Sequence, residues 1–102
     1  MEQIDPNDLL IFVRVIDDGS FTAAAERLGL PKSTVSRRLS QLEERLGERL
    51  LLRTTRRLKI TEFGQALLEH ARQVETEVEA VAALAESRQA RPSGRLRVSM
   101  PS

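Results

Sequence analysis

Apolar residues recur at helical spacing in four stretches of this chain, and a shorter stretch between the third and fourth, residues 50–60, holds two short apolar runs around a basic turn. Leu9, Phe12, Val13 and Ile16 share one helical face. Asp5 is a candidate cap for that helix, Pro6 suits its first position and Asp8 puts an acid in its first turn. Ile4 and Leu9 are spaced for a hydrophobic staple, and Asp17-Asp18-Gly19 ends the helix. A second, short helix is predicted from about Thr22, its candidate cap, to Leu28; Gly29-Leu30-Pro31 breaks it. The third runs from Pro31 or Lys32 to Leu46 and ends at Gly47, with Val35, Leu39, Leu42 and Leu46 as its apolar stripe.

The opposite side of the third helix begins with Ser33, Thr34, Ser36, Arg37 and Arg38, then turns acidic at Glu43, Glu44 and Glu48. Short hydroxyls beside arginines suit close approach to phosphates and base edges, so the first two turns are the candidate contact surface. Ser33 and Thr34 can also cap the helix, a role compatible with phosphate contact. Residues 50–60 predict two short strands around a basic tip, Thr54-Thr55-Arg56-Arg57. Such a hairpin after two helices joined by a tight turn is a wing, able to reach the backbone or a narrow minor groove.

Thr61 then caps a helix extending to about Ala90. Leu67, Ala71, Val74, Val78, Val81 and Ala85 step by four, three, four, three and four, the 3.5-residue period of a helix paired along its length. About 30 residues make a rod of roughly 45 Å, too long for so small a body to cover, so these six residues predict a homodimer seam. Residues 91–102 read as a hinge followed by Leu96, Val98 and Met100 alternating like the first strand of a further, truncated domain.

Composition narrows the chemistry. The 102 residues are 40% apolar and 30% charged, enough for one compact domain plus an appendage. There is no Cys, which excludes disulfides, thiol chemistry and Cys-ligated metal, and one His, His70, cannot build a metal site or a triad alone. With only three aromatic residues, Phe12, Phe21 and Phe63, all assigned to the core, a base-stacking platform is not expected. Glu43 and Glu44 lie beside Arg45 and need no catalytic reading. No enzyme activity and no cofactor are expected. The start Met1-Glu2-Gln3-Ile4-Asp5 lacks the basic and apolar runs of a signal peptide, and a cytoplasmic protein with no membrane partner is expected.

The net charge of +1 hides a segregated distribution: residues 26–59 hold ten Lys or Arg against four Glu, between acidic segments. That is the footprint expected for nucleic acid. The fold class expected is mainly α: a winged helix-turn-helix over 1–60, with the helix-turn-helix at about 21–47, and a dimerisation helix over 61–90. A pure protein–protein module is the competing reading, but it has no need for Ser36-Arg37-Arg38 beside Arg56-Arg57.

Three motif strings resemble the LysR-type transcriptional regulators: Ser20-Phe21-Thr22-Ala23-Ala24-Ala25-Glu26-Arg27-Leu28, Ser33-Thr34-Val35-Ser36-Arg37-Arg38-Leu39 with Leu42-Glu43-Glu44-Arg45-Leu46-Gly47, and Leu52-Arg53-Thr54-Thr55-Arg56-Arg57 running on to Gly64. The resemblance implies that Ser36 and Arg37 contact DNA, with Lys32, Ser33 and Thr34 where operator preference is set. It places Thr22 in the same contact set and puts Arg53, Arg56 and Arg57 at phosphates or the minor groove. Arg38 is carried to either a base edge or a phosphate. The resemblance further implies double-stranded DNA with an imperfect palindrome as partner, antiparallel pairing of the long helices, tetramers in the full-length protein, and a small-molecule inducer reached only through the C-terminal domain that begins near Gly94.

Overall fold

A computed structural model describes residues 3–53 and 57–90, Arg53 and Ala90 by their backbone alone. Thr54, Thr55 and Arg56, and the hinge and strand expected over 91–102, lie outside the described residues. The order is α1 (Pro6–Asp18), α2 (Phe21–Leu28), α3 (Lys32–Leu46), β1 (Leu51–Arg53), β2 (Leu58–Ile60) and α4 (Glu62–Ala90).

Local chemistry sets most of the boundaries. The Asp5 carboxylate accepts from the Asn7 N–H ahead of Pro6, and Gly19 closes α1 in the left-handed conformation. The cap of α2 is Ser20, not Thr22: Ser20 Oγ accepts from the Ala23 N–H, and the helix starts one residue earlier than expected. Ser20 has the extended backbone that aims its hydroxyl at the third helical N–H, whereas Thr22 is already inside the first turn. Pro31 precedes α3, which begins without a side-chain cap, so neither Ser33 nor Thr34 plays that part. Between α2 and α3, Gly29 adopts φ +69, which permits the tight turn that sets the two helices against each other.

The core gathers one face of every helix: Ile11, Phe12, Val13 and Val15 of α1, Phe21, Ala24 and Ala25 of α2, and Val35, Leu39 and Leu42 of α3, with Leu68 and Ala71 of α4. Leu50 and Leu51 anchor the root of the wing in the same cluster. Each large side chain so buried contributes about 1.5–3 kcal/mol. Phe12 and Phe21 are buried as expected, and Phe63 packs against the cluster from its margin. Strands β1 and β2 pair antiparallel with Leu51 opposite Ile60 and Arg53 opposite Leu58, forming the two-stranded wing.

Thr61 joins the wing to α4. Its hydroxyl donates to the Arg49 carbonyl (2.6 Å) and accepts from the Gly64 N–H (2.9 Å), capping the helix as expected. The first half of α4 packs on α1; from Thr76 to Gln89 every residue is exposed. Ion pairs mark where the helix leaves the body: Arg72 forks onto Asp17 (2.8 and 3.1 Å), and Arg14 reaches Glu75 (2.8 Å). The Arg72 hydrogen bond holds the Asp17 carboxyl below its ordinary range, and Asp17 in turn raises the Arg72 guanidinium.

The six-residue seam therefore divides. Ala71 is fully buried within its own chain and Leu67 packs against the core, so Ala71 is not an interface residue and the apolar period there serves the protomer. Val74 is half-buried, while Val78, Val81 and Ala85 stand exposed. Leu84, 63% exposed, joins them although it falls one step off the 3.5-residue register.

Candidate nucleic-acid interface

The outward face of α3 is built from the inside. Val35, Leu39 and Leu42 are buried against α1 and α2, which turns Ser33, Arg37, Ser40, Gln41 and Glu44 to solvent on the opposite side. Lys32 is exposed at the helix start, and Thr34 and Ser36 are half-buried along the edges of this face. Thr22 is exposed in the first turn of α2. Ser33 and Arg37 of the expected contact set thus lie on the outward face of α3, with Thr34 and Ser36 along its edges. Ser40 and Gln41 are exposed on the same face, and the spacing from Ser33 and Arg37 could have found them.

Arg38 departs from the expectation. Its Nε donates to Asp8 (2.8 Å) and its Nη2 to Asp5 (3.1 Å), so its guanidinium is turned back onto the N-terminal turn of α1. Asp8 is only 3% exposed, and Arg45 approaches it from the next turns of α3 at 3.7 Å. A buried carboxylate needs charged partners, and it draws Arg38 away from the outward face.

Glu43 has a role that sequence spacing did not reveal. One carboxylate oxygen accepts the backbone N–H groups of Leu50 (2.7 Å) and Leu51 (3.2 Å) and lies 3.4 Å from Arg49 Nε. It ties the late turns of α3 to the root of the wing. Between them lies an open groove lined by Ser36, Ser40, Glu44, Glu48 and Arg49. In the wing, Arg57 and Lys59 are exposed, and Arg53 occupies the end of β1.

Among the described residues no group of three or more His, Cys, Asp or Glu is placed to hold a metal ion, and no helix is long and apolar enough to cross a membrane. Tri-helical core, solvent-facing third helix and basic wing define a winged helix-turn-helix.

Comparison with known proteins agrees with that class. Residues 6–65 match the family described as "Bacterial regulatory helix-turn-helix protein, lysR family". A Xanthomonas campestris HTH-type transcriptional regulator is 50% identical over 97 residues, covering 95% of this chain and 28% of its own length. PtxR of Pseudomonas aeruginosa, also named an HTH-type transcriptional regulator, is 43% identical over 101 residues, covering 99% of this chain and 32% of its own. Among solved structures, the BenM DNA-binding domain in complex with catB site 1 DNA superposes with a TM-score of 0.76 at 29% identity, covering 87% of this chain and 100% of that one. CbnR, a LysR family transcriptional regulator, gives 0.72 at 30% identity, covering 82% of this chain and 29% of that one. The chain belongs to the lysR family of bacterial regulatory helix-turn-helix proteins. It spans about 28–32% of the length of these two curated relatives.

Proposed function

We propose that this domain binds double-stranded DNA sequence-specifically as a dimer, with α3 of each protomer in the major groove of one half of an imperfect palindrome. The observation that carries the reading is the outward face of α3, where Ser33, Arg37, Ser40 and Gln41 stand exposed over a helix anchored by Val35, Leu39 and Leu42. Arg37 reads a base edge, Lys32, Ser33, Thr34 and Ser36 hold or discriminate around it, and Thr22 reaches the backbone from α2. The wing arginines Arg53, Arg56 and Arg57 lie along phosphates or the minor groove. Arg38 supports this face through Asp5 and Asp8 and does not itself contact DNA.

Val74, Val78, Val81, Leu84 and Ala85 pair with the same residues of a second chain. Four exposed apolar side chains in succession on a projecting helix favour a partner of the same character over solvent. In the longer protein this dimer enters a tetramer, and an inducer acts through a further C-terminal domain beginning within 91–102. The domain is not an enzyme, uses no cofactor and acts in the cytoplasm, where its DNA is.

The experiment is selection from a randomised duplex library by the wild-type chain and by Val78→Glu, each at low and physiological salt. The wild type should recover a two-fold-symmetric motif with strongly salt-dependent binding, because residues 26–59 carry six more basic than acidic side chains per protomer. Val78→Glu should sediment as a monomer and bind weakly. A chain that binds no duplex at low salt would instead be a protein–protein module.

A further inference from the structure

Asp17 and Asp18 occupy the last turn of α1, and no basic residue shares that turn. The negative end of a helix disfavours acids there. Both are held by arginines instead, one of α1 itself and two from other elements. Arg72 of α4 grips Asp17 with two hydrogen bonds, Arg27 of α2 donates to Asp18 (3.2 Å), and Arg14, one turn back, lies 3.3 Å from Asp17 and 3.9 Å from Asp18. Arg14 also crosses to Glu75 of α4, a contact in which both side chains are about four-fifths covered. Local preference at the end of α1 has been overridden to make a junction.

We propose that the Asp17–Arg72 and Arg14–Glu75 pairs are positioning residues that fix the angle at which α4 leaves the reading head, and with it the separation of half-sites a dimer accepts. The inference rests on the dimeric DNA-reading function proposed above. Three features support it. The pairs sit at the last attachment of α4, since Ala71 is its last buried residue and everything from Thr76 to Gln89 is exposed. The apolar contacts next to them, at Leu68 and Ala71, are non-directional, whereas a forked arginine–carboxylate pair defines an orientation. Residues 72 and 75 lie about one turn apart, so the two pairs restrain roll and tilt together.

The lever makes small angles matter. About 22 Å of α4 projects past Glu75, so a tilt of roughly 10° moves its end by about 4 Å. One base pair advances a half-site by about 3.4 Å and turns it by roughly a tenth of a helical turn. Loss of the clamp therefore spreads a dimer over neighbouring spacings without changing what each head reads. The exposed Asp17–Arg72 fork is also open to screening, so spacing preference weakens at high salt.

The test uses the whole chain and three proteins: wild type, Arg72→Ala/Glu75→Ala, and Arg72→Lys, which keeps the charge but loses the fork. Affinity is measured for palindromic duplexes whose half-site spacing differs by one base pair either way. In parallel, Glu26→Cys and Glu79→Cys are spin-labelled, an approach helped by the absence of natural cysteine, and diluted into unlabelled chain to measure the head-to-helix distance distribution. Wild type should favour one spacing by roughly tenfold or more, on the scale of a lost base contact. The double variant should fall below about threefold with an unchanged half-site motif and a broadened distribution, and Arg72→Lys should lie between. An unchanged spacing preference or an unchanged distribution in the folded double variant overturns the proposal. Broadening in a protein that binds no duplex sinks the DNA-reading function, and leaves the clamp as an angle-setting contact with no half-sites to space.

Discussion

Arg38 Nε donates to Asp8 Oδ1 over 2.8 Å, and this contact joins the exposed half of α3 to a carboxylate that is 97% covered on α1. The pair braces the reading helix against the first helix from beneath. Asp8→Ala leaves Arg38 and Arg45 facing an uncharged wall and should cost about 2–3 kcal/mol in urea denaturation, since Arg38 keeps partial access to water. Arg38→Gln should lower stability in the same direction while leaving the selected DNA motif unchanged. A shift in one motif position at unchanged stability would return Arg38 to the DNA-contacting set.

Gly64 lies where α4 passes closest to the wing root. A Cβ there would overlap the Leu50 carbonyl oxygen and come within 2.8 Å of Ile60 Cγ1. The oxygen belongs to backbone that also receives the Thr61 N–H, so it cannot swing aside. Gly64→Ala should therefore destabilise the fold by about 1–3 kcal/mol despite its better helix propensity, a sign that thermal denaturation reads directly.

Arg37 and Arg57 should separate by what they do to specificity. Arg37→Ala is expected to cost about 1–3 kcal/mol on the preferred site and to relax preference at one position. Arg57→Ala should weaken all duplexes nearly equally and reduce the salt slope by about one. Titrations against preferred and scrambled duplexes at several salt concentrations check both.

Acid should act through Asp17. Its folded-state carboxyl titrates below the ordinary range because Arg72 hydrogen-bonds it, so the unfolded chain binds the proton more readily. The stabilisation is complete above the unfolded value of about 3.9 and is lost as pH falls through the lowered one. Asp17→Asn should be less stable than wild type at neutral pH and converge with it in strong acid. Urea midpoints measured down the pH scale for both chains should show the gap closing.

The outward face of α3 was legible because Val35, Leu39 and Leu42 define its buried side, and the residues opposite follow from 3.6-residue geometry. The same geometry extends the face to Ser40 and Gln41, beyond the basic cluster at the helix start. Arg38 was not legible in this way. Its position in the helix is compatible with either side, and the choice falls to a carboxylate thirty residues earlier that no local pattern connects to it. The role of Glu43 is hidden for a similar reason, because its partners include backbone N–H groups, and these carry no sequence signal.

What the sequence by itself determined is what near neighbours determine: the stop at Gly19, the turn at Gly29, the Asp5 and Thr61 caps, and the wing strands on either side of a basic tip. The stop, the turn and the caps depend on dihedral preference and on hydrogen bonds reaching two to four residues, and the wing strands pair across only five to nine. The 3.5-residue period of α4 was equally visible, but a period states only that one side is apolar and not what covers it. Tertiary structure decided that Ala71 belongs to the protomer's own core while Val78, Val81 and Leu84 remain open, because α1 is long enough to cover only the first half of α4. It also decided that Asp17 meets Arg72 across 55 residues. Charge partners at such separation are chosen by packing, which brings the two helix surfaces together before either side chain can find the other.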